Sequence, residues 1–265
     1  MTPETLLAHF DSGEAWPPQP PAAFTDVAAA YQRALEVRQL RIHRGERPRG
    51  YKIGFTNRGI WPVYNVDAPI WGTVWDTSLS FCDAGAEVSL DKTCQPRIEP
   101  EVVFGLRAEP AAGCDLAGVF DSIEWMAPGF EIVQSHRPEW KFTAAETVAD
   151  SGLHARLLVG RKSPVRDAAR TGRALEQQLA RAAVTLTRDG DMIDEGRGAN
   201  VLDGPLHALL HFVQELRACP GAPALQAGDV ITTGTWTNAW PVAAGEMWNA
   251  RFDAPLAPLQ VRFTS

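Results

Sequence analysis

Cysteine is scarce in this chain. There are four in 265 residues, Cys82, Cys94, Cys114 and Cys219, and no two share a Cys-x-x-Cys spacing. A zinc ribbon and a thioredoxin-like redox pair are therefore without support. An excess of positive charge is also missing. The 25 basic residues face 32 acidic ones, for a formal net charge of -7. That argues against a nucleic-acid surface, which needs a basic patch. It does not argue against a small anionic substrate, because a bound cation reverses the local potential. No apolar run approaches the length of a membrane span. Glu4, His9, Asp11 and Glu14 stand where a secretory signal would place apolar residues. The expectation is a cytoplasmic chain with reduced thiols and no membrane partner. The Gly-x-Ser-x-Gly elbow, the phosphate loop and the dinucleotide fingerprint are absent too, so those enzyme classes lose ground.

What remains is an ordinary globular composition, 45% hydrophobic and 22% charged. A chain this long buries a core without covalent staples, and residues 1–265 read as a single domain. Residues 1–48 read as a helical segment. Within it a proline-rich connector, Trp16–Pro21, precedes a helix that Thr25 can cap. Val27, Tyr31 and Leu35 share one face of that helix, and Arg38, Arg41 and Arg44 lie near its end, where cations suit the helix dipole.

Residues 49–265 read as β-rich. Gly50–Phe55, Glu99–Leu106 and Phe130–Gln134 read as strands, and Asp115–Trp125 as a helix stopped by Pro128-Gly129. Asp189-Gly190 between two short apolar-patterned runs signals a tight hairpin. A second helix is predicted from an Asp203 cap and Pro205 through the stripe Leu206, Leu209, Leu210, Val213, Leu216. The expected class is α+β with mixed or antiparallel sheets.

Glu99 and Glu101 stand two apart in a predicted strand, so their side chains share a face. Their neighbours are apolar, as are those of Glu131 in the next strand. Carboxylates in such a setting are costly unless neutralised. A hard divalent cation, Mg²⁺ or Mn²⁺, does that well; solvent-facing edge strands are the other reading. Lys52 between apolar neighbours suits a charge partner, a general acid or a snorkelling surface residue. Asp76 suits a turn cap or a catalytic acid. The glycines of Ile231–Thr235 allow backbone amides to approach a carboxylate or simply end a strand. His43 and Glu46, three apart, form either an acid–base dyad or a surface pair at a helix end.

Taken in order, several segments resemble one enzyme family. Gly50-Tyr-Lys-Ile-Gly-Phe-Thr56, Pro96-Arg-Ile-Glu-Pro-Glu-Val-Val-Phe104 and Phe130-Glu-Ile-Val-Gln-Ser135 resemble segments of the hydratase/decarboxylase family. That family lies within the fumarylacetoacetate hydrolase superfamily and includes 2-hydroxypentadienoate hydratases and 4-oxalocrotonate decarboxylases. Trp140-Lys141, Thr147–Asp150, Ala227–Thr235 and Pro241–Gly245 continue the likeness. The resemblance implies a mixed-sheet roll of the superfamily type and a homo-oligomer. It implies Mg²⁺ or Mn²⁺ on Glu99, Glu101 and Glu131, with Lys52 and Asp76 as acid–base groups. Gly54, Phe55 and Thr235 would contact a small anionic 2-oxo or 2-hydroxy acid. The reaction implied is hydration of a 2-hydroxy-2,4-dienoate from aromatic catabolism, with decarboxylation or acylpyruvate C–C hydrolysis as alternatives. Two stretches depart from the family pattern: Ser151-Gly-Leu-His154 after Asp150, and Pro205-Leu-His207. Trp61, Trp71, Trp75, Trp236 and Trp240 are candidates for a bulky pocket lining.

Overall fold

The computed structural model describes residues 1–18, 24 and 26–265. The expected cap at Thr25 and the end of the proline-rich connector lie outside them. Helix Val27–His43 is capped by Asp26, whose carboxylate accepts from the Ala28 N–H at 2.9 Å. The strands are, in chain order, β1 (Pro48–Gly54), β2 (Ile70–Trp75), β3 (Leu79–Phe81), β4 (Gly85–Ser89), β5 (Arg97–Leu106), β6 (Ile123–Val133), β7 (His154–Val159), β8 (Ser163–Pro164), β9 (Ala183–Arg188), β10 (Asp191–Arg197), β11 (Val230–Thr232), β12 (Trp240–Pro241), β13 (Met247–Phe252) and β14 (Leu259–Thr264).

Among the described residues these strands form two sheets. The larger runs β2-β1-β11-β5-β6-β7-β3, with β12 beside β5 and β8 beside β6. The smaller runs β10-β9-β13-β14-β4. Pairs β1–β11, β3–β7 and β4–β14 are parallel, and the remaining pairs antiparallel. Mixed sheets with separate helices make this α+β, as expected. The β9–β10 hairpin turns at Asp189 (φ 51) and Gly190 (φ 96), the left-handed pair that a two-residue hairpin requires.

Two boundaries differ from the sequence expectation. The helix after Asp115 ends at Ser122, and β6 starts at Ile123. Pro128-Gly129 therefore lies inside a strand rather than after a helix. On that edge β8 pairs with Trp125 and Met126, and β7 takes over from Gly129 onward. Pro128 sits in the gap between the two partners, where a missing N–H is tolerated. The second correction concerns helix Pro205–Ala218. Its N-cap is Gly204, and Asp203 pairs with Arg58 instead. The free N–H groups of Leu206 and His207 are taken by the Glu176 carboxylate at 2.9 and 3.0 Å. A cap supplied from another helix leaves no local sequence signal.

The apolar face of helix Pro205–Ala218 (Leu206, Leu209, Phe212, Val213, Leu216) packs in one cluster with Phe104, Phe130 and Ile132 of the larger sheet. The same cluster holds Val184, Trp248 and Val261 of the smaller sheet. The middle of the larger sheet is thereby covered. β5 is buried from Pro100 to Leu106 and β6 from Met126 to Val133. A strand covered on both faces reads as a nearly continuous apolar run, and a charge inside it has no solvent to turn to. Glu101 and Glu131 are in that position, both 0% exposed.

Candidate active site

The site forms where β1, β11, β5, β6 and β7 lie side by side. Glu99 on β5 pairs directly with Glu131 on β6, and Glu101 follows two residues on, opposite Gly129. One carboxylate oxygen from each of Glu99, Glu101 and Glu131 lies within 4.8 Å of the other two. β11 separates β1 from β5, and its Thr232 pairs with Lys52 on one side and Val103 on the other. The Lys52 ammonium stands 3.3 Å from Glu131 Oε2 and donates to Gly152 O at 2.9 Å.

Glu101 and Glu131 are each held at one oxygen. Glu101 Oε2 accepts from the Thr232 hydroxyl and from the Gly234 N–H at 2.6 Å. Glu131 Oε1 is 2.9 Å from His154 Nδ1. Glu101 Oε1 is buried without a hydrogen-bond partner among the described residues, and Glu131 Oε2 meets the Lys52 ammonium at 3.3 Å. Unpaired buried oxygens are rare and costly. Three clustered carboxylates, one with an unpaired buried oxygen, are the donor set a hard divalent cation takes. The residues therefore fit such a metal.

Protonation follows from this crowding. Burial, with added repulsion from Glu131, pushes Glu99 up to about 7, against partial relief from Lys52. Burial and the other two carboxylates push Glu101 well above the ordinary range. Burial alone would lower the Lys52 ammonium, but attraction to Glu131, Glu99 and Glu101 outweighs it and raises its pKa. Burial lowers the pKa of His154, leaving Lys52 as the standing positive charge of the cluster.

Lys52 and Glu99 line a cavity of about 350 Å³, the size of a small-ligand pocket. Gly54, Phe55 and Thr235 line it as well, so the structure brings these three together with Lys52 and Glu99. Asp76 is not brought in. It is exposed in the turn after β2, accepts from the Arg47 N–H at 3.0 Å and donates its own N–H to Arg47 O at 2.9 Å. Lys52 pairs with Gly72, and four residues of strand at about 3.3 Å each put Asp76 roughly 13 Å further on. Of its two open roles, Asp76 takes the turn cap, and the acid–base expectation is corrected. His43 and Glu46 also form no dyad. The Glu46 carboxylate is engaged by Arg41, Arg44 and Thr77, away from this cavity.

The pocket wall also differs from expectation. Trp236 borders the cavity while its side chain is buried in the core, and Trp71 and Trp75 are buried away from it. Trp240 donates to Asp194 at 2.8 Å, and Trp61 donates to Phe55 O at 2.7 Å. The aromatic wall comes instead from Phe55 stacked on Tyr64 at 4.6 Å, Tyr64 on Phe142 at 5.7 Å, and Trp140 beside them. Arg97 lies over the Trp140 ring at 4.1 Å and faces the cavity. Among the described residues it has no ion-pair partner. Sequence reading passed over Arg97 although it stands within the Pro96–Phe104 motif.

No family model matches the chain. Individual proteins do. It is 34% identical to a 2-hydroxyhexa-2,4-dienoate hydratase of Comamonas testosteroni over 86% of this chain and 81% of that one. This chain belongs to the hydratase/decarboxylase family of the fumarylacetoacetate hydrolase superfamily. A 4-oxalocrotonate decarboxylase of a Pseudomonas species is 28% identical over 83% of this chain and 82% of its own length. Among solved structures, the 4-oxalocrotonate decarboxylase of Pseudomonas putida G7, complexed with magnesium and adipate, superposes with a TM-score of 0.85. It is 26% identical and covers 99% of this chain and 98% of that one. A fumarylpyruvate hydrolase of Pseudomonas aeruginosa with Mn²⁺ and pyruvate shares the fold alone, at 17% identity, a TM-score of 0.57 and coverage of 82% and 89%.

Replacing Glu131 or Glu99 by glutamine keeps the side-chain shape and removes one negative ligand. The expected result is Mn²⁺ affinity lower by about tenfold or more, read by calorimetric titration; unchanged affinity contradicts the arrangement. A second test uses pH. Folding raises Glu99 from 4.5 to about 7, so between those values the native state holds a proton that the unfolded chain has released. Stability of the metal-free protein from this group is therefore present below 4.5 and lost as pH rises through about 7. The melting temperature is expected to fall over this window without metal, and to fall less with saturating Mg²⁺ or in Glu99→Gln.

Proposed function

We propose that the protein is a metal-dependent lyase that hydrates a 2-hydroxy-2,4-dienoate to a 4-hydroxy-2-oxo acid. The observation that carries this is the grouping of Glu99, Glu101 and Glu131 around Lys52 at the base of an aromatic-walled cavity. The three glutamates hold Mg²⁺ or Mn²⁺, which when bound stabilises the negative charge that develops on the substrate as an enolate. The backbone turn at Gly234–Thr235 and the Arg97 guanidinium orient the substrate's carboxylate, while Phe55, Tyr64 and Phe142 pack against its carbon chain.

Conversion of the dienol to its keto form moves the hydroxyl proton from the C2 oxygen to a carbon of the diene. Lys52 Nζ faces the cavity and holds a proton at neutral pH, so it is the group suited to carry that proton. Water then adds across the conjugated double bond. Ile70, the β2 residue in the cavity wall, brings no second acid to this step. As part of the same reading the enzyme is a cytoplasmic homo-oligomer acting on a small anionic acid; its four free cysteines suit a reducing compartment.

One observation favours a second reading. Arg97 faces the cavity without an acidic partner among the described residues and suits a second carboxylate on the substrate. A dicarboxylic 4-oxalocrotonate would then lose CO₂, with the electron pair left behind received by the same enolate system.

The test is ultraviolet loss of 2-hydroxypenta-2,4-dienoate with Mg²⁺, against an EDTA control, with 4-oxalocrotonate and CO₂ release in parallel. Metal-dependent loss giving 4-hydroxy-2-oxopentanoate is expected. Lys52→Met is expected to lower it by about 10²–10⁴-fold while Mn²⁺ still binds. Turnover of 4-oxalocrotonate alone would replace the hydratase reading by the second one.

A further inference from the structure

His154 is the second residue of the family-divergent turn to reach the carboxylate cluster. It is 1% exposed, and both ring nitrogens are engaged: Nδ1 is 2.9 Å from Glu131 Oε1 and Nε2 is 2.8 Å from Ser78 Oγ. An ionised carboxylate only accepts, so the hydrogen belongs on Nδ1 by assignment from its partner. Nε2 then accepts from the Ser78 hydroxyl, whose oxygen in turn accepts from the Trp75 N–H at 3.1 Å. The ring is thus clamped between a turn and a carboxylate.

The backbone aims it there. β7 pairs with β6 in the register Glu131↔Leu157 and Ile132↔Arg156, then shifts so that Val133 meets His154 rather than Ala155. Residues opposite one another share a face, and Val133 shares its face with Glu131, two residues away. Without the shift, His154 would point to the other side of the sheet. Bulges that re-aim a side chain next to an active site are a known use of the device. The three residues before it, Ser151, Gly152 and Leu153, all have positive φ, at 57, 65 and 66. Such strain persists where surrounding structure over-determines it. Here the same short segment delivers Gly152 O to Lys52 and His154 to Glu131.

We infer that His154, braced by Ser78, is a positioning residue. It fixes the rotamer of Glu131 so that Oε2 is presented to the cation, leaving Oε1 in the hydrogen bond. This rests on the metal-binding reading of the three glutamates. Groups that orient a metal ligand in this way contribute about 10–100-fold to metal affinity.

Calorimetric titration with Mn²⁺ tests it on the wild-type protein, His154→Leu, His154→Asn and Ser78→Ala. Asparagine keeps a donor at the place of Nδ1, and leucine does not. The expected order of affinity is wild type and His154→Asn together, Ser78→Ala slightly weaker, and His154→Leu weaker by about 10–100-fold. Melting temperatures without metal report any general loss of packing, which falls on both His154 variants. Equal Mn²⁺ affinity in His154→Leu and His154→Asn, whether both high or both low, overturns the positioning role while the trident stands. Absence of Mn²⁺ binding by the wild type overturns the trident reading and this inference together.

Discussion

Three carboxylates share the dry middle of a sheet with one ammonium, and much of the site is arranged around that imbalance. Glu101 and Glu131 are wholly buried, and Glu99 completes the group at the cavity wall. Lys52 cancels one charge at most. An excess charge in a low-dielectric interior must either bind a proton or meet a cation. The raised pKa values of Glu99 and Glu101 show the first response in the metal-free protein. The unpaired Oε1 of Glu101, beside the other two carboxylates, makes room for the second. The cluster is thus a stored cost that a divalent ion relieves on binding.

The fold supports this cost by covering the sheet. β5 and β6 are buried over most of their length by helix Pro205–Ala218 and the smaller sheet. Polar groups in this covered region hold the carboxylates: the Thr232 hydroxyl and Gly234 N–H on Glu101, and His154 on Glu131. Gly234 earns its place by geometry. It has φ 102, and a Cβ there would stand 2.1 Å from Thr56 Oγ1. Only glycine gives its N–H to Glu101 in that space. Gly152, at φ 65 and against Gly72 and Lys52, plays the matching part for the lysine.

The α+β class and the central strands were legible because each rests on local patterning. Glu99 and Glu101 share a face through strand alternation alone, and Glu131 stands out as an acid in an apolar run. The turn Asp189-Gly190 is legible for the same reason. What was not legible depends on distant partners. Asp76 reads equally as a cap or a catalytic acid until Arg47 is seen beside it. Asp203 loses its capping role to Glu176, which comes from another helix. The aromatic wall of Phe55, Tyr64, Trp140 and Phe142 is assembled from two segments far apart in sequence, whereas four of the five tryptophans picked out by their clustering are used elsewhere. His154 carried no signal beyond its departure from the family pattern, because its role depends on a register shift.

Diffraction from crystals grown with Mn²⁺, recorded at the manganese absorption edge, tests the carboxylate trident most directly. The expected result is a single anomalous peak about 2.1 Å from one oxygen each of Glu99, Glu101 and Glu131, with Lys52 still beside Glu131. A peak at another group of residues, or none in this cavity with manganese present in excess, would contradict it.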